Sequence, residues 1–258
     1  MGSSVVHLGP GLLVALVALT TLGAAAGWSS GLAQHRPVLV AAARATVQLA
    51  VVSAVLVAVI DSLVLSALFV ALMLSVAAAT SAARVTGRSL RDPGAPPRVA
   101  ATGLAIVAGA APVVALVLAS GSVPLRGEAV IPVAGIVLGG AMTATSLAGR
   151  RLRDALRQRA GEVDAALALG FLPRDAVLEV ARPVAATALV PALDQTRTVG
   201  LVTLPGAFVG VLLGGGSAPE AGAAQLLVLV GLLATQVTAV WTVVELVARG
   251  RLLADVPR

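Results

Sequence analysis

The chain contains no lysine, and all 18 of its basic residues are arginine. That absence excludes a P-loop lysine and Schiff-base chemistry, so the chain cannot by itself be a conventional ATPase. It contains no cysteine, which removes disulfides, thiol catalysis and thiolate metal sites. Histidine is nearly absent. His7 and His35 are far apart and lack a partner at metal-ligand spacing, which argues against a histidine metal centre. Neither lies beside the Ser and Asp pairing that nucleophilic catalysis needs. Charged residues make up only 12% of the chain, against about 25% in soluble domains. A pI near 11.6 would suit nucleic acid, but aromatic residues are only 2% and no basic patch is interleaved with them. Arginines gathered at membrane edges explain the charge better, and no nucleic-acid partner is expected.

What the chain does have is long apolar runs. Hydrophobic residues reach 58% and mean hydropathy is +1.00. Crossing a bilayer as a helix takes about 20 mainly apolar residues. Runs of that kind fall at roughly 9–28, 38–60, 62–83, 99–120, 130–148, 198–215 and 223–247. The expected fold is therefore all-α: a polytopic integral membrane protein of about seven transmembrane helices, forming one domain over 1–258. The first run resembles a signal peptide, but no arginine precedes it, and an uncleaved span is expected.

Arginine placement predicts the orientation, because basic loops stay in the cytoplasm. With the N-terminus outside, Arg36, the cluster from Arg84 to Arg98, the stretch from Arg150 to Arg182, and Arg249, Arg251 and Arg258 all fall inside. Only Arg126 falls outside. The C-terminus is then cytoplasmic, in the cell membrane. Two inward-running spans end on similar patterns, GRSLRD at Gly87 to Asp92 and GRRLRD at Gly149 to Asp154. Duplication or convergence of two stop-transfer ends would each produce this.

The region of about 149–197 is expected to be a cytoplasmic coupling region, and its stretch 161–183 is too charged to be a membrane span. Within it, GEVDAALALGFLPRDAVLEVARP (Gly161 to Pro183) reads as a helical hairpin. Asp164 to Leu169 is a good helix former, Gly170 suits a left-handed cap, Pro173 suits the next helix start, and Pro183 is expected to end that helix. By itself this reads equally as an ordinary surface helix or as a docking element.

Polar residues within the spans are the candidates for a transport path. Arg44 and Gln48 are one turn apart, and Arg44 either snorkels to headgroups or serves a pathway. Met142, Thr143, Thr145 and Ser146 form a polar run in the fifth span, which suits either helix-to-helix bonding or a polar lining. Asp194, Gln195, Thr196 and Arg197 follow Pro191, with Asp194 and Arg197 spaced to pair locally or to form a gate. Gly206, Gly210 and Gly214 recur every four residues, as do Gly135 and Gly139, which suits close helix packing inside one subunit or across a dimer seam. Trp241 and Glu245 read as anchors at the inner membrane face. An ion-driven secondary transporter would want carboxylates at mid-membrane, whereas Asp61 and Glu245 lie at span ends. A non-transporting scaffold remains the other alternative.

The hairpin register resembles the EAA loop of bacterial ABC transporter permeases. Asp164-Ala165-Ala166 is followed by three residues and Gly170, then nine residues, then Val180-Ala181-Arg182-Pro183, with Asp in place of Glu and Arg in place of Leu. More of the chain, from about Arg44 onward, resembles the FetB-type permease family, iron exporters related to plant aluminium-tolerance half-transporters. The resemblance rests on RATVQL (Arg44 to Leu49), MTATSLAGRRLRD (Met142 to Asp154), EVDAALALG (Glu162 to Gly170) and ALVPALDQTRTVGLVTLPGAFVGVLLGG (Ala188 to Gly215). It implies a permease that pairs with a separate ATP-binding subunit, dimerises, and exports a metal ion such as iron. ATP and Mg would belong to the partner, with no cofactor in this chain. It also implies that Glu162, Asp164, Ala165, Ala166, Gly170 and Pro183 couple to the ATPase. One departure is visible: the family's asparagine before the Met-Thr pair is missing from Gly139-Gly140-Ala141.

Overall fold

In the computed structural model, residues 9–253 are described, and His7 and Arg258 lie outside them. The described residues are almost wholly helical, with one isolated bridge between Val199 and Thr203. The chain divides into two compact units, with the boundary between Asp61 and Ser62.

The first unit is a pair of apolar helices, α1 (Pro10–Ser29) and α2 (His35–Val59). Pro10 opens α1 at a position where its missing N–H costs nothing. The turn between them is tight. Gly27 lies beneath the Gln34–His35 backbone, and its carbonyl accepts from the Gln34 N–H.

The second unit is built on four long helices: α3 (Leu63–Thr86), α4 (Ala95–Ala119), α5 (Gly127–Gln158) and α10 (Ala218–Ala248). Ser62 caps the start of α3, and Gly87 ends it in the left-handed region at φ 66°. At α10 the Ser217 and Glu220 side chains bond each other's backbone N–H reciprocally. The core is rich in alanine, which lets helix axes approach in a solvent that gives no hydrophobic drive between them. Buried hydroxyls tie the helices as well. Thr102 Oγ1 donates to the Ala78 carbonyl at 2.8 Å, and the Ser81 and Ser146 hydroxyls meet at 3.0 Å.

Between α5 and α10 run four shorter helices: α6 (Ala160–Ala168), α7 (Pro173–Ala186), α8 (Val190–Thr198) and α9 (Gly206–Leu213), with a single 3-10 turn at Thr187–Leu189. Among the described residues, seven helical stretches are long and apolar enough to span a membrane. Six agree with the expected runs. The sixth differs: the helical stretch is Pro173–Thr198, which takes the second half of the region expected to be cytoplasmic, because its apolar residues outweigh Arg174 to Arg182 over that length, and the expected span over 198–215 is broken. Gly200 sits at φ 81° and Pro205 offers no N–H, so α9 begins only at Gly206 and rises about 12 Å, far short of a bilayer.

Two further expectations are corrected. Pro183 does not end its helix; it lies inside α7 with its ring exposed, and the helix continues because Ala185 beyond it is buried in the core. The two similar hexapeptides also adopt different structures. Gly87 ends a helix, whereas Gly149 lies inside α5, pressed so closely on Val85 that an added Cβ would meet its Cγ2 at 2.5 Å. Helix α5 therefore runs ten residues past the expected apolar end at 148, because Leu152 and Leu156 remain buried while Arg150 and Arg157 are exposed.

Candidate functional site: the hairpin and the broken crossing

Helices α6 and α7 form the hairpin. Gly170 adopts φ 90°, its N–H bonds the Leu167 carbonyl, and the Phe171 N–H bonds the Ala166 carbonyl at 3.1 Å. These two bonds close the end of α6 in the manner available to glycine alone at low cost. Val163 is fully buried and Ala166 packs against the same cluster, so one face of α6 rests on the bundle. The opposite face presents Asp164 and Ala165, and the tip exposes Leu169 at 80% together with Phe171 and Leu172. Arg159 and Glu162 clamp the entrance with two hydrogen bonds, of 2.7 and 2.5 Å. The hydrogen bond from Arg159 holds the Glu162 carboxyl below the usual carboxylate range.

The hairpin's second arm is latched to the last helix. Arg174 donates to both oxygens of Glu245, at 2.6 and 3.2 Å, and Arg249 donates to the same carboxylate at 3.2 Å. Glu245 is only 16% exposed, so it functions as an ion-pair partner within the protein as well as standing near a membrane edge. Further along, Arg151 of α5 donates to Thr187 Oγ1 at 2.5 Å, at the turn between α7 and α8. Sequence spacing could not reveal either tie. Arg174 and Glu245 are 71 positions apart, and the available signal was only an acid in an otherwise apolar span.

At the far side of the crossing, the Phe208 N–H donates to Gln225 Oε1 at 3.2 Å. Roughly twenty residues of α10 separate Gln225 from Glu245, about 30 Å of helix. That distance matches the hydrocarbon core of a bilayer. Between its contacts with these two residues the chain from Arg174 to Phe208 passes through the 3-10 turn at Thr187–Leu189 and the non-helical stretch 199–205. Backbone of that kind inside a bilayer is tolerated only against protein or a water-lined path, and interrupted helices are where transporters commonly bind substrates.

Asp194, Gln195, Thr196 and Arg197 all lie on α8, beside the second break. Arg197 and Asp194 meet at 3.5 Å, both largely exposed. Thr196 bonds the Ala192 carbonyl, and Thr198 bonds that of Asp194. The fifth-span run is distributed differently. Thr143 bonds the Gly139 carbonyl, Ser146 is buried against Ser81, Met142 packs on the core, and Thr145 Oγ1 is buried without a partner among the described residues. Arg44 and Gln48 lie one turn apart on the exposed surface of α2 in the first unit. Gly206 and Gly210 face open space, with nothing within 4 Å of a Cβ added at either, whereas one added at Gly135 would meet Met73 at 3.1 Å. Beside them the loop exposes Leu201 at 89%, with Val202 and Leu204 also exposed. Among the described residues no cluster of three or more His, Cys, Asp or Glu could hold a metal ion.

The sequence pattern of a family described as "Uncharacterised protein family (UPF0014)" matches residues 11–251. The rice protein "UPF0014 membrane protein STAR2" is 33% identical over 216 residues, covering 84% of this chain and 74% of its own. "Protein ALUMINUM SENSITIVE 3" of Arabidopsis thaliana is 39% identical over 49% of this chain and 46% of its own length. The "Probable iron export permease protein FetB" of Escherichia coli is 34% identical over 51% of each chain. The match therefore spans about half of the latter two relatives. No solved structure matches the chain.

Proposed function

The chain belongs to the UPF0014 family of membrane proteins, and from this we propose that it is the membrane-spanning permease subunit of an ABC-type transporter, exporting a metal ion such as iron. Both units serve one permease, and ATP with Mg binds a separate ATP-binding subunit, which supplies the nucleotide chemistry that a chain without lysine lacks. The observation that carries this reading is the hairpin. Its tip exposes Leu169, Phe171 and Leu172, while its base is fixed to α10 by Arg174–Glu245 and leads directly into the broken crossing. A partner that grips the tip can move the crossing, which is what an ATPase-driven permease requires.

Orientation follows from the arginines. In the second unit Arg126 lies at one end and Arg197 on α8, while most of the others gather at the opposite end, at the ends of α3, α5 and α10, at the start of α4 and on α7. That end is assigned to the cytoplasm, with the N-terminus outside and the C-terminus inside. The export of iron rests on the name of the E. coli relative, and the substrate path is assigned to the polar face of α8. That face carries an exposed ion pair, which is costly against lipid, so it faces water or a second copy. The open Gly206 and Gly210 of α9 and the exposed loop before it support a homodimer seam beside α8. An ion-driven carrier is disfavoured because the last-span carboxylate is already occupied by two arginines.

The test is reconstitution of the chain with an ATP-binding subunit from its own genome in inside-out vesicles. ATP-dependent iron accumulation, abolished by Gly170→Pro with membrane insertion intact, is the expected result. Iron movement driven by an ion gradient without ATP would overturn the reading.

A further inference from the structure

Gln236 stands near the middle of α10, half-buried, and its carboxamide has no hydrogen-bond partner among the described residues. An amide at mid-span is costly against lipid and marks a place that meets water, another helix or a substrate. By contrast, Thr238 and Thr242 of the same helix spend their hydroxyls on their own helix's carbonyls, and Gln225 accepts from the Phe208 N–H.

The helix sets the direction of this side chain. Gln236 lies eleven residues past Gln225, three turns on and within about 20° of the same face. At the Gln225 end that face carries α9, through Phe208. At the other end Val243 and Val247, on the same stripe, are buried in one apolar cluster with Ala185 of α7 and Ala188 of the 3-10 turn. The chain that joins these two covered ends is α8 with the non-helical stretch 199–205, and α8 touches α10. Gln236 therefore lies on the face of α10 between the two points to which the interrupted segment is tied.

Helix α5 adjoins it. A Cβ added at Gly140 would meet Leu232 Cδ2 at 2.5 Å and Gln236 Nε2 at 3.4 Å, so the glycine leaves room for the amide. One turn on, Thr143 is exposed, and its hydroxyl donates to the Gly139 carbonyl at 2.9 Å. Its oxygen lone pairs remain free to accept. Gln236 Oε1 and Thr143 Oγ1 are thus neutral acceptors on nearby turns of two packed helices.

We propose that Gln236, with Thr143, contacts the transported species as a hydrated divalent cation, held through hydrogen bonds from its water shell and not by direct ligation. This rests on the permease reading and adds the form in which the ion is held. Water bound to a small divalent cation is shed reluctantly and donates strongly, and neutral oxygens hold such an ion weakly enough to release it. Direct ligation would call for clustered His, Cys, Asp or Glu, and among the described residues no group of three or more is formed.

The experiment uses the full chain in a neutral detergent with Mn²⁺ as the probe. Electron paramagnetic resonance separates free from bound ion, and electron–nuclear double resonance counts the waters kept. The wild type should bind Mn²⁺ with its water shell intact. Gln236→Leu should weaken binding about tenfold, and Thr143→Val should weaken it in the same direction. Gln236→Asn, which keeps the amide, should retain part of the affinity. Thr238→Val, on another face of α10, should change nothing. Gln236→Glu should tighten binding, displace water from the ion and slow its release, so that transport shows a lower KM with a lower kcat. ATP-driven Mn²⁺ uptake by inside-out vesicles separates the two readings: binding that depends on Gln236 without such uptake keeps this site and sinks the permease. No binding in the wild type, bound Mn²⁺ stripped of its water, or binding that Gln236→Leu leaves unchanged overturns the proposal. Equal weakening by Thr238→Val also overturns it, by showing a general loss of structure.

Discussion

At Gly109 an added Cβ would stand 2.5 Å from the Thr235 carbonyl oxygen of α10, and backbone cannot step aside as a flexible side chain can. Gly109→Ala should therefore separate α4 from α10 and cost about 1–3 kcal/mol. Gly222→Ala meets nothing within 4 Å and should be neutral or slightly stabilising. Unfolding of both variants in the same detergent checks the contrast. The Arg174–Glu245 pair also matters. Arg174→Ala leaves a mostly buried carboxylate with Arg249 alone and should destabilise the hold of α7 on α10. Arg174→Lys should not restore the two-pronged bond. Hydrogen exchange should show faster opening of α7 in both variants while α3 keeps its protection. At the entrance to the hairpin, Glu162 is held below the usual carboxylate range by Arg159. A depressed pKa contributes stability above the unfolded value and loses it as pH falls through the folded one. Exchange at α6 should thus be unaffected near neutrality and quicken only in acid below the ordinary carboxylate range, a dependence that Glu162→Gln abolishes.

The hairpin is the element whose geometry was most legible in the sequence. Gly170 at a left-handed cap and Pro173 at the first position of α7 stand as their chemistry demands, because both constraints are local to the backbone. The crossing beyond it was misread for an equally physical reason. Apolar composition over 198–215 satisfies a length count, yet Gly200 and Pro205 break the backbone ladder, and only long-range contacts show that 173–198 is the long helical piece. The ties that make the site a unit, Arg174 to Glu245 and Arg151 to Thr187, join residues 71 and 36 positions apart, and the one sequence signal, an acid in an apolar span, named no partner. Glycine spacing was legible only in part. Gly135 packs closely on Met73 as the spacing suggested and Gly109 and Gly149 make close approaches it does not mark, while Gly206 and Gly210 face open space, which leaves the dimer-seam alternative for them. At this scale Gly170→Pro cannot keep φ near 90°, and Ala166→Arg cannot keep a half-buried face on the bundle. Both should insert in the membrane at normal levels and fail to copurify the ATP-binding subunit. Copurification at wild-type stoichiometry would show that the hairpin is not the dock.

For the molecule as a whole, the absence of cysteine makes the assembly directly testable, since any disulfide formed by a single introduced cysteine must join two copies. Cysteines at Leu201, Val202 and Gly206 should crosslink on mild oxidation if that face is a two-fold seam, and one at Leu72, exposed on α3, should not. The same assembly gives a meaning to Asp194 and Arg197. They lie on the piece of the crossing between the latched hairpin and the break at 199–205, so any movement of α7 must pass through them to reach α9. Held near lipid they would be costly unless paired or wet, and each is the other's local partner. Arg197→Ala should leave the Asp194 charge uncompensated, disfavour one of the two transport conformations, and lower ATP-driven transport about tenfold with ATPase binding intact. Exchanging the charges, Asp194→Arg with Arg197→Asp, keeps the spacing of three on one helical face and should recover part of the rate. Normal transport in the single variant would make α8 a plain connector. An impaired single variant with a dead exchange would assign the two residues separate duties, one toward the substrate and one toward the second copy, and measuring crosslinking at Leu201 in the exchanged protein would distinguish which of the two was lost.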